Sequence, residues 1–167
     1  MNARMKRMNR RSVVLAVFSL CTGFAQTPQR PNFSGRWRMV KDQSDFGKFG
    51  APDMIVRVVD HHDPTMNVHT VQTKGKSTTS ADVSYFTNGD ETTNNLSGRD
   101  AISKCFWDDN TLVVRTETKN SKNEETQIID RWDLSSDGKT LTIASHVETT
   151  QGSADLKLVC EKESVSQ

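Results

Sequence analysis

No apolar run in this sequence is long enough to cross a membrane as a helix. The stretch Val13 to Ala25 falls well short of the ~20 residues a bilayer core requires. Metal-ligand spacing is missing as well. His61 and His62 are adjacent and point to opposite faces of any strand, His69 lies beyond the Asp63-Pro64 turn, and His146 is far downstream. The histidines therefore read as solvent-facing or turn-stabilising groups, and no metal or cofactor is expected. No serine elbow, phosphate loop or nucleophilic-cysteine context occurs. Basic clusters are confined to the first residues: Arg4, Lys6, Arg7, Arg10 and Arg11. Setting those aside turns 22 basic and 21 acidic residues into 17 against 21, a net charge of −4. A mildly acidic, mixed surface excludes nucleic acid and anionic membranes as expected partners.

What is present begins with an export signal. The basic residues form an n-region, Val13 to Ala25 an apolar core, and Gly23-Phe24-Ala25 a small-residue cleavage site. Leu20 before Cys21 is too bulky for lipid attachment, so residues 1–25 are expected to be a removable signal peptide and the product periplasmic or secreted. A short linker (26–31), one domain (32–163) and a brief tail (164–167) complete the organisation. About 140 residues suffice for a single core.

Lys41 to Asp53 is polar, with Gly47, Gly50 and Pro52 around Phe46 and Phe49, and reads as a loop pinned by the two phenylalanines. From Met54 onward the pattern is regular. Expected strands are Met54–Asp60, Met66–Thr73, Ser77–Phe86, Glu91–Leu96, Ala101–Trp107, Leu112–Lys119, Thr126–Leu134, Leu141–Glu148 and Ala154–Glu161. Turn dipeptides separate them, Asn88-Gly89 being the strongest hairpin signal. With a first strand at Gly35 to Met39 this makes about ten, at the spacing of an all-β domain. Hairpin following hairpin without a long crossover predicts an antiparallel up-and-down β-barrel, closed by the last strand meeting the first.

Alternation identifies the inward faces. Leu141, Ile143, Ser145 and Val147 share one. Ile128, Trp132 and Leu134 share another, which also carries Asp130. Leu112 and Val114 lead a third that continues through Thr116 and Thr118, and Ala81, Val83 and Tyr85 form a fourth. The interior is thus apolar at one end and hydroxyl-rich at the other. A collapsed core would be uniformly bulky; a lumen holding ligand or water mixes apolar and small polar side chains.

In the first strand Gly35, Trp37 and Met39 face one way and Arg36 and Arg38 the other. Trp37 can plug one end of a closed sheet, and Gly35 lets another backbone approach. Gly35-x-Trp37 in a first strand resembles the opening signature of lipocalins and their fatty-acid-binding relatives, the calycin β-barrels. With Ser44-Asp45-Phe46-Gly47 it also resembles secreted bacterial lipocalin-like proteins. The resemblance implies a small apolar or amphipathic ligand in the lumen. The relatives' two-helix lid does not fit between Lys41 and Asp53. Their carboxylate-clamping Arg-x-Tyr is replaced by Leu158-Val159-Cys160, although Glu161-Lys162 follows as in the family. A late arginine stacked on the first tryptophan is absent, since no arginine follows Arg131.

The expected function is therefore that of an exported, monomeric small-molecule binder, not an enzyme. Trp132, Asp130, Ile128, Leu112, Val114, Thr116, Leu141, Ile143, Ser145, Val83 and Tyr85 are its expected ligand-facing residues, and Gly35 and Trp37 its structural ones. The alternative is a filled barrel presenting loops to a protein, as a secreted protease inhibitor does. A more distant alternative is an enzyme using the inward Asp130. Cys105 and Cys160 fall on strands separated by three others and are expected to stay unpaired. Trp107, at a strand end, is expected to be more exposed than Trp37 or Trp132.

Overall fold

The structure, a computed structural model, describes residues 30–164. The expected signal peptide, its expected cleavage site and Cys21 lie outside the described residues. The described residues form ten strands: β1 (Gly35–Met39), β2 (Met54–His62), β3 (Thr65–Lys74), β4 (Ser77–Phe86), β5 (Asn88–Leu96), β6 (Arg99–Asp108), β7 (Thr111–Lys119), β8 (Glu125–Leu134), β9 (Thr140–Thr149) and β10 (Gly152–Lys162). All expected strands are present, with ends shifted by a few residues. Alternation with valine, isoleucine and threonine drives them, because β-branched side chains fit a pleated, half-buried surface.

One antiparallel sheet runs in the order β4-β3-β2-β1-β10-β9-β8-β7-β6-β5. The last strand meets the first, Trp37 opposite Lys162 and Met39 opposite Cys160. The sheet's two edges lie instead at β4 and β5, on either side of Thr87, with Asn88-Gly89 opening β5. This corrects the expectation of a hairpin there: the chain reverses, but no backbone ladder links the two strands. The corner is committed elsewhere. The Thr87 amide donates to the Pro64 carbonyl at 2.8 Å and its hydroxyl to Asp63 at 2.6 Å, while the Asn88 side chain accepts from the Asp90 amide and donates to the Asp90 carboxylate. The register against β6 also slips between Asn88 and Glu91.

One end of the barrel is packed solid. Phe33, Trp37, Met66, Leu112, Leu141, Ile143, Cys105 and Cys160 are sealed from solvent, each large side chain contributing ~1.5–3 kcal/mol of burial. Phe33 is the plug. Its carbonyl accepts from Trp37 Nε1 at 2.8 Å, and its ring stacks on His61 and Trp107 and meets Trp132 edge-on. Trp107 is half-buried at the floor and, as its place at a strand end predicts, more exposed than Trp37 or Trp132. His61 is sealed there too. It accepts from the Phe33 amide on Nδ1, which places its proton on Nε2, 2.9 Å from Asp63. This is the turn-stabilising role expected of a histidine, carried out inside the core.

Between β1 and β2 the chain makes two short 3₁₀ turns, Lys41–Gln43 and Gly47–Phe49. Phe46 packs on the core, whereas Phe49 is 49% exposed, so one phenylalanine pins the segment rather than two. Asp45 pairs with Lys157 of β10, and Lys74 donates to the Phe49 carbonyl at 2.7 Å. The segment thus runs from β10 to the β3–β4 turn.

Candidate functional site

The inward faces expected from alternation are the inward faces observed, because cross-strand register carries one strand's parity to the next. Leu112 faces Trp132, which faces Ile143; Val114 faces Asp130, which faces Ser145; Thr116 faces Ile128, which faces Val147. Val83 and Tyr85 face Val68 and Met66. Burial then divides these residues by depth. Leu112, Val114, Leu141, Ile143 and Trp132 belong to the sealed core. Ile128, Asp130, Ser145, Val83 and Tyr85 keep part of their surface open, as do Thr70, Ala81, Thr92, Val147 and Leu156 on the same inner wall. Thr116 is nearly sealed, its hydroxyl 2.9 Å from that of Ser103. The barrel thus has a sealed floor and, above it on β3, β4, β5, β8, β9 and β10, a partly accessible wall of mixed apolar and hydroxyl side chains.

One cation projects into the barrel and a second, exposed one lies over Trp37, and neither was expected there. Arg57 pairs in register with Trp37 on one side and Thr70 on the other, both inward, so it projects into the barrel. Its guanidinium reaches across from β2 to lie 5.2 Å from the centre of the Trp132 ring on β8. A cation over an indole face gains ~0.5–2 kcal/mol, more as water is excluded. The ion pairs that arginines make among the described residues are those of Arg36, Arg38 and Arg131. Arg57 Nε is shielded from solvent and has no hydrogen-bond acceptor, and the same holds for Trp132 Nε1. Leaving such a donor unsatisfied costs ~1–3 kcal/mol.

The second cation is Lys162, whose Nζ lies 5.2 Å from the Trp37 ring centre. The first-strand tryptophan does carry a late cation, supplied by a lysine two residues after Cys160 instead of an arginine. Gly35 allows it: a Cβ there would sit 2.5 Å from Lys162 Cε.

Burial acts against charge on the titratable groups around Arg57. Burial pushes the Asp130 carboxyl above its usual range, with the facing Ser145 hydroxyl and Arg57 pulling the other way. Burial likewise raises Tyr85, and Asp130 adds to it, so the phenol stays protonated. Cys105 and Cys160 remain free thiols; burial raises them to about 12 and about 11. Among the described residues no three His, Cys, Asp or Glu side chains converge as metal ligands.

Sequence reasoning missed Arg57 because β2 is apolar on both faces. Met54, Val56 and Val58 alternate with Ile55 and Val59, so its own pattern gives no inward side. The usable signal was the short β1: Trp37 fixes which residue of β2 faces inward, once the pairing is known.

No protein-family model matches this sequence, and no curated protein matches it. Solved structures do. The zebrafish ileal bile acid-binding protein, complexed with cholic acid, matches with a TM-score of 0.56 at 15% identity, over 78% of this chain and 98% of that one. A secretory abundant heat-soluble protein of Ramazzottius varieornatus gives 0.55 at 16% identity, over 78% and 94%. Human cRBP IV gives 0.50 at 15% identity, over 80% and 99%. The chain thus shares with these structures a nearly closed, ten-stranded antiparallel barrel fold.

Proposed function

We propose that this protein is an exported, non-enzymatic carrier of a small apolar or amphipathic molecule, held in the open half of the barrel. The observation that carries the reading is the burial along β4, β8, β9 and β10: Trp132, Ile143 and Leu158 are sealed, while Asp130, Ile128, Ser145, Val147, Leu156, Val83 and Tyr85 keep part of their surface open, the facing β6–β7 wall (Ala101, Ser103, Thr116) staying sealed. A collapsed core would be sealed throughout. Ile128, Val83, Val147 and Leu156 offer apolar contact there, and Thr70 and Thr92 offer hydroxyls. The zebrafish neighbour, solved with cholic acid, supports the reading by its fold.

The test is a tryptophan-fluorescence titration of the protein with linear alcohols of increasing length, repeated on Trp132→Phe. Each methylene buried contributes ~0.8 kcal/mol, about fourfold in Kd, so longer chains should bind progressively tighter. Trp132→Phe should lose much of the signal and keep the binding measured by displacement of a fluorescent probe. Absence of binding at any chain length by a folded protein would instead favour a filled barrel that acts through its loops. Export is tested separately, by the intact mass of the product in the periplasm or medium, expected to begin after Ala25.

A further inference from the structure

We propose that Arg57 is the anchor of an anion-binding subsite at the floor of the barrel, which takes the head group of a singly charged anionic amphiphile with its tail toward the rim. The inference rests on the carrier reading and names its ligand class.

Its basis is an imbalance of donors over acceptors at one depth. Arg57 Nε and Trp132 Nε1 are both shielded and both lack an acceptor. Trp132, 2% exposed, cannot turn to water without opening the floor. The charge of Arg57 is met by the indole face, which accepts no N–H in the plane of the guanidinium. Tyr85 on β4 and Ser145 on β9 add hydroxyls from the neighbouring wall, and burial works against a charge on Asp130 while Ser145 and Arg57 work for it. A carboxylate or sulfate oxygen supplies the missing acceptor and the counter-charge together, through the bidentate geometry that a guanidinium favours. An uncharged head group supplies only the first. The tail then meets Ile128, Val147 and Leu156 above. The position also accounts for the absent late-strand clamp: with Leu158 and Cys160 packed in the floor, the cation reaches the lumen from β2.

The experiment pairs dodecanoate with dodecan-1-ol at pH 7.5, titrated into wild type, Arg57→Gln and Arg57→Lys, with a fluorescent probe displaced as the readout. In the wild type the acid should bind at least tenfold tighter than the alcohol. Arg57→Gln should abolish that preference while leaving the alcohol within about twofold, and Arg57→Lys should keep part of it. Should the variants fail to fold, the wild-type preference and the ¹⁵Nε–¹Hε resonance of Arg57 decide the matter: the acid should shift it strongly and the alcohol should not. Equal binding of acid and alcohol, or a preference that survives Arg57→Gln, overturns the subsite and leaves the carrier reading standing. No binding of either overturns both.

Discussion

The side-chain amide of Asn94 on β5 exchanges two hydrogen bonds with the backbone of Ser84 on β4. The Ser84 amide donates to Asn94 Oδ1 at 2.8 Å, and Asn94 Nδ2 donates to the Ser84 carbonyl at 3.0 Å. A carboxamide presents the same donor and acceptor as a peptide unit, so one side chain reproduces a rung of the ladder that the two edge strands otherwise lack. Asn94→Ala removes both bonds, and at ~1 kcal/mol each should destabilise the barrel by ~1–2 kcal/mol. Hydrogen exchange at the Ser84 amide should accelerate more than at β8 or β9. Unchanged protection of Ser84 would mean the seam is held by something other than this side chain.

Gly35 is predicted to be intolerant of a side chain. Its φ is +145°, and a Cβ there would collide with the Lys162 stem lying over Trp37. Lysine can swing aside, so the cost comes from backbone strain plus the lost cation–π contact, ~1–2 kcal/mol together. Chemical denaturation of Gly35→Ala beside Lys162→Met apportions it. The methionine variant, which keeps an apolar stem and loses only the charge, should be the milder of the two. If Gly35→Ala were as stable as wild type, the strain assigned here would be wrong.

Asp130 gives a pH dependence of definite sign. Burial raises its folded-state pKa above the unfolded value of about 3.8. The group therefore favours the folded state below that value, and the benefit is lost as pH climbs from there through the folded pKa. Asp130→Asn keeps the shape without the proton equilibrium. It should raise the melting temperature by a few degrees at pH 7, and the gain should vanish toward pH 3.5. Destabilisation at pH 7 would show that the carboxylate is ionised against Arg57, in which case the barrel neutralises its own cation.

Asp53, Asp63, Asp137 and Glu163 act in the opposite sense. Backbone and side-chain hydrogen bonds from Gly75 and Lys41 lower Asp53. Ser135 and Lys139 do the same for Asp137, and Arg38 and Arg36 for Glu163. Burial opposes the charge of Asp63, but Thr87 and His61 prevail. Stability from these groups is present above their unfolded pKa values, near 4, and is lost as pH falls through the lower folded ones. Thermal melts should therefore fall steeply below pH 4, and Asp63→Asn should flatten part of that fall. An identical acid limb in Asp63→Asn would exclude it as a contributor.

Both thiols should be inert in the native state. Burial seals Cys105 and Cys160 and raises their pKa values, which suppresses the thiolate that reacts. Peptide mapping after iodoacetamide should find both unmodified in native protein and both alkylated in denaturant without reductant. A disulfide-linked peptide would contradict the strand order, which puts β7, β8 and β9 between them.

The sequence by itself determined the strands, the meander and the inward parity of most of them. Alternation has a period of two and each turn carries its own chemistry, so Leu141-Thr142-Ile143 declares its inner face without any partner. It also declared the graded interior, since Leu112, Val114 and Thr116 lie in order along one face. What only the tertiary structure decided was the set of relations between distant elements. Which pair of strands forms the edges depended on where Thr87 spends its hydrogen bonds, on Pro64 and Asp63 across the corner. That Lys162 covers Trp37 depended on the closing β1–β10 register. And Arg57, on a strand apolar on both sides, became an interior cation only through its pairing with Trp37, because parity in such a strand is set by its neighbour and not by its own residues.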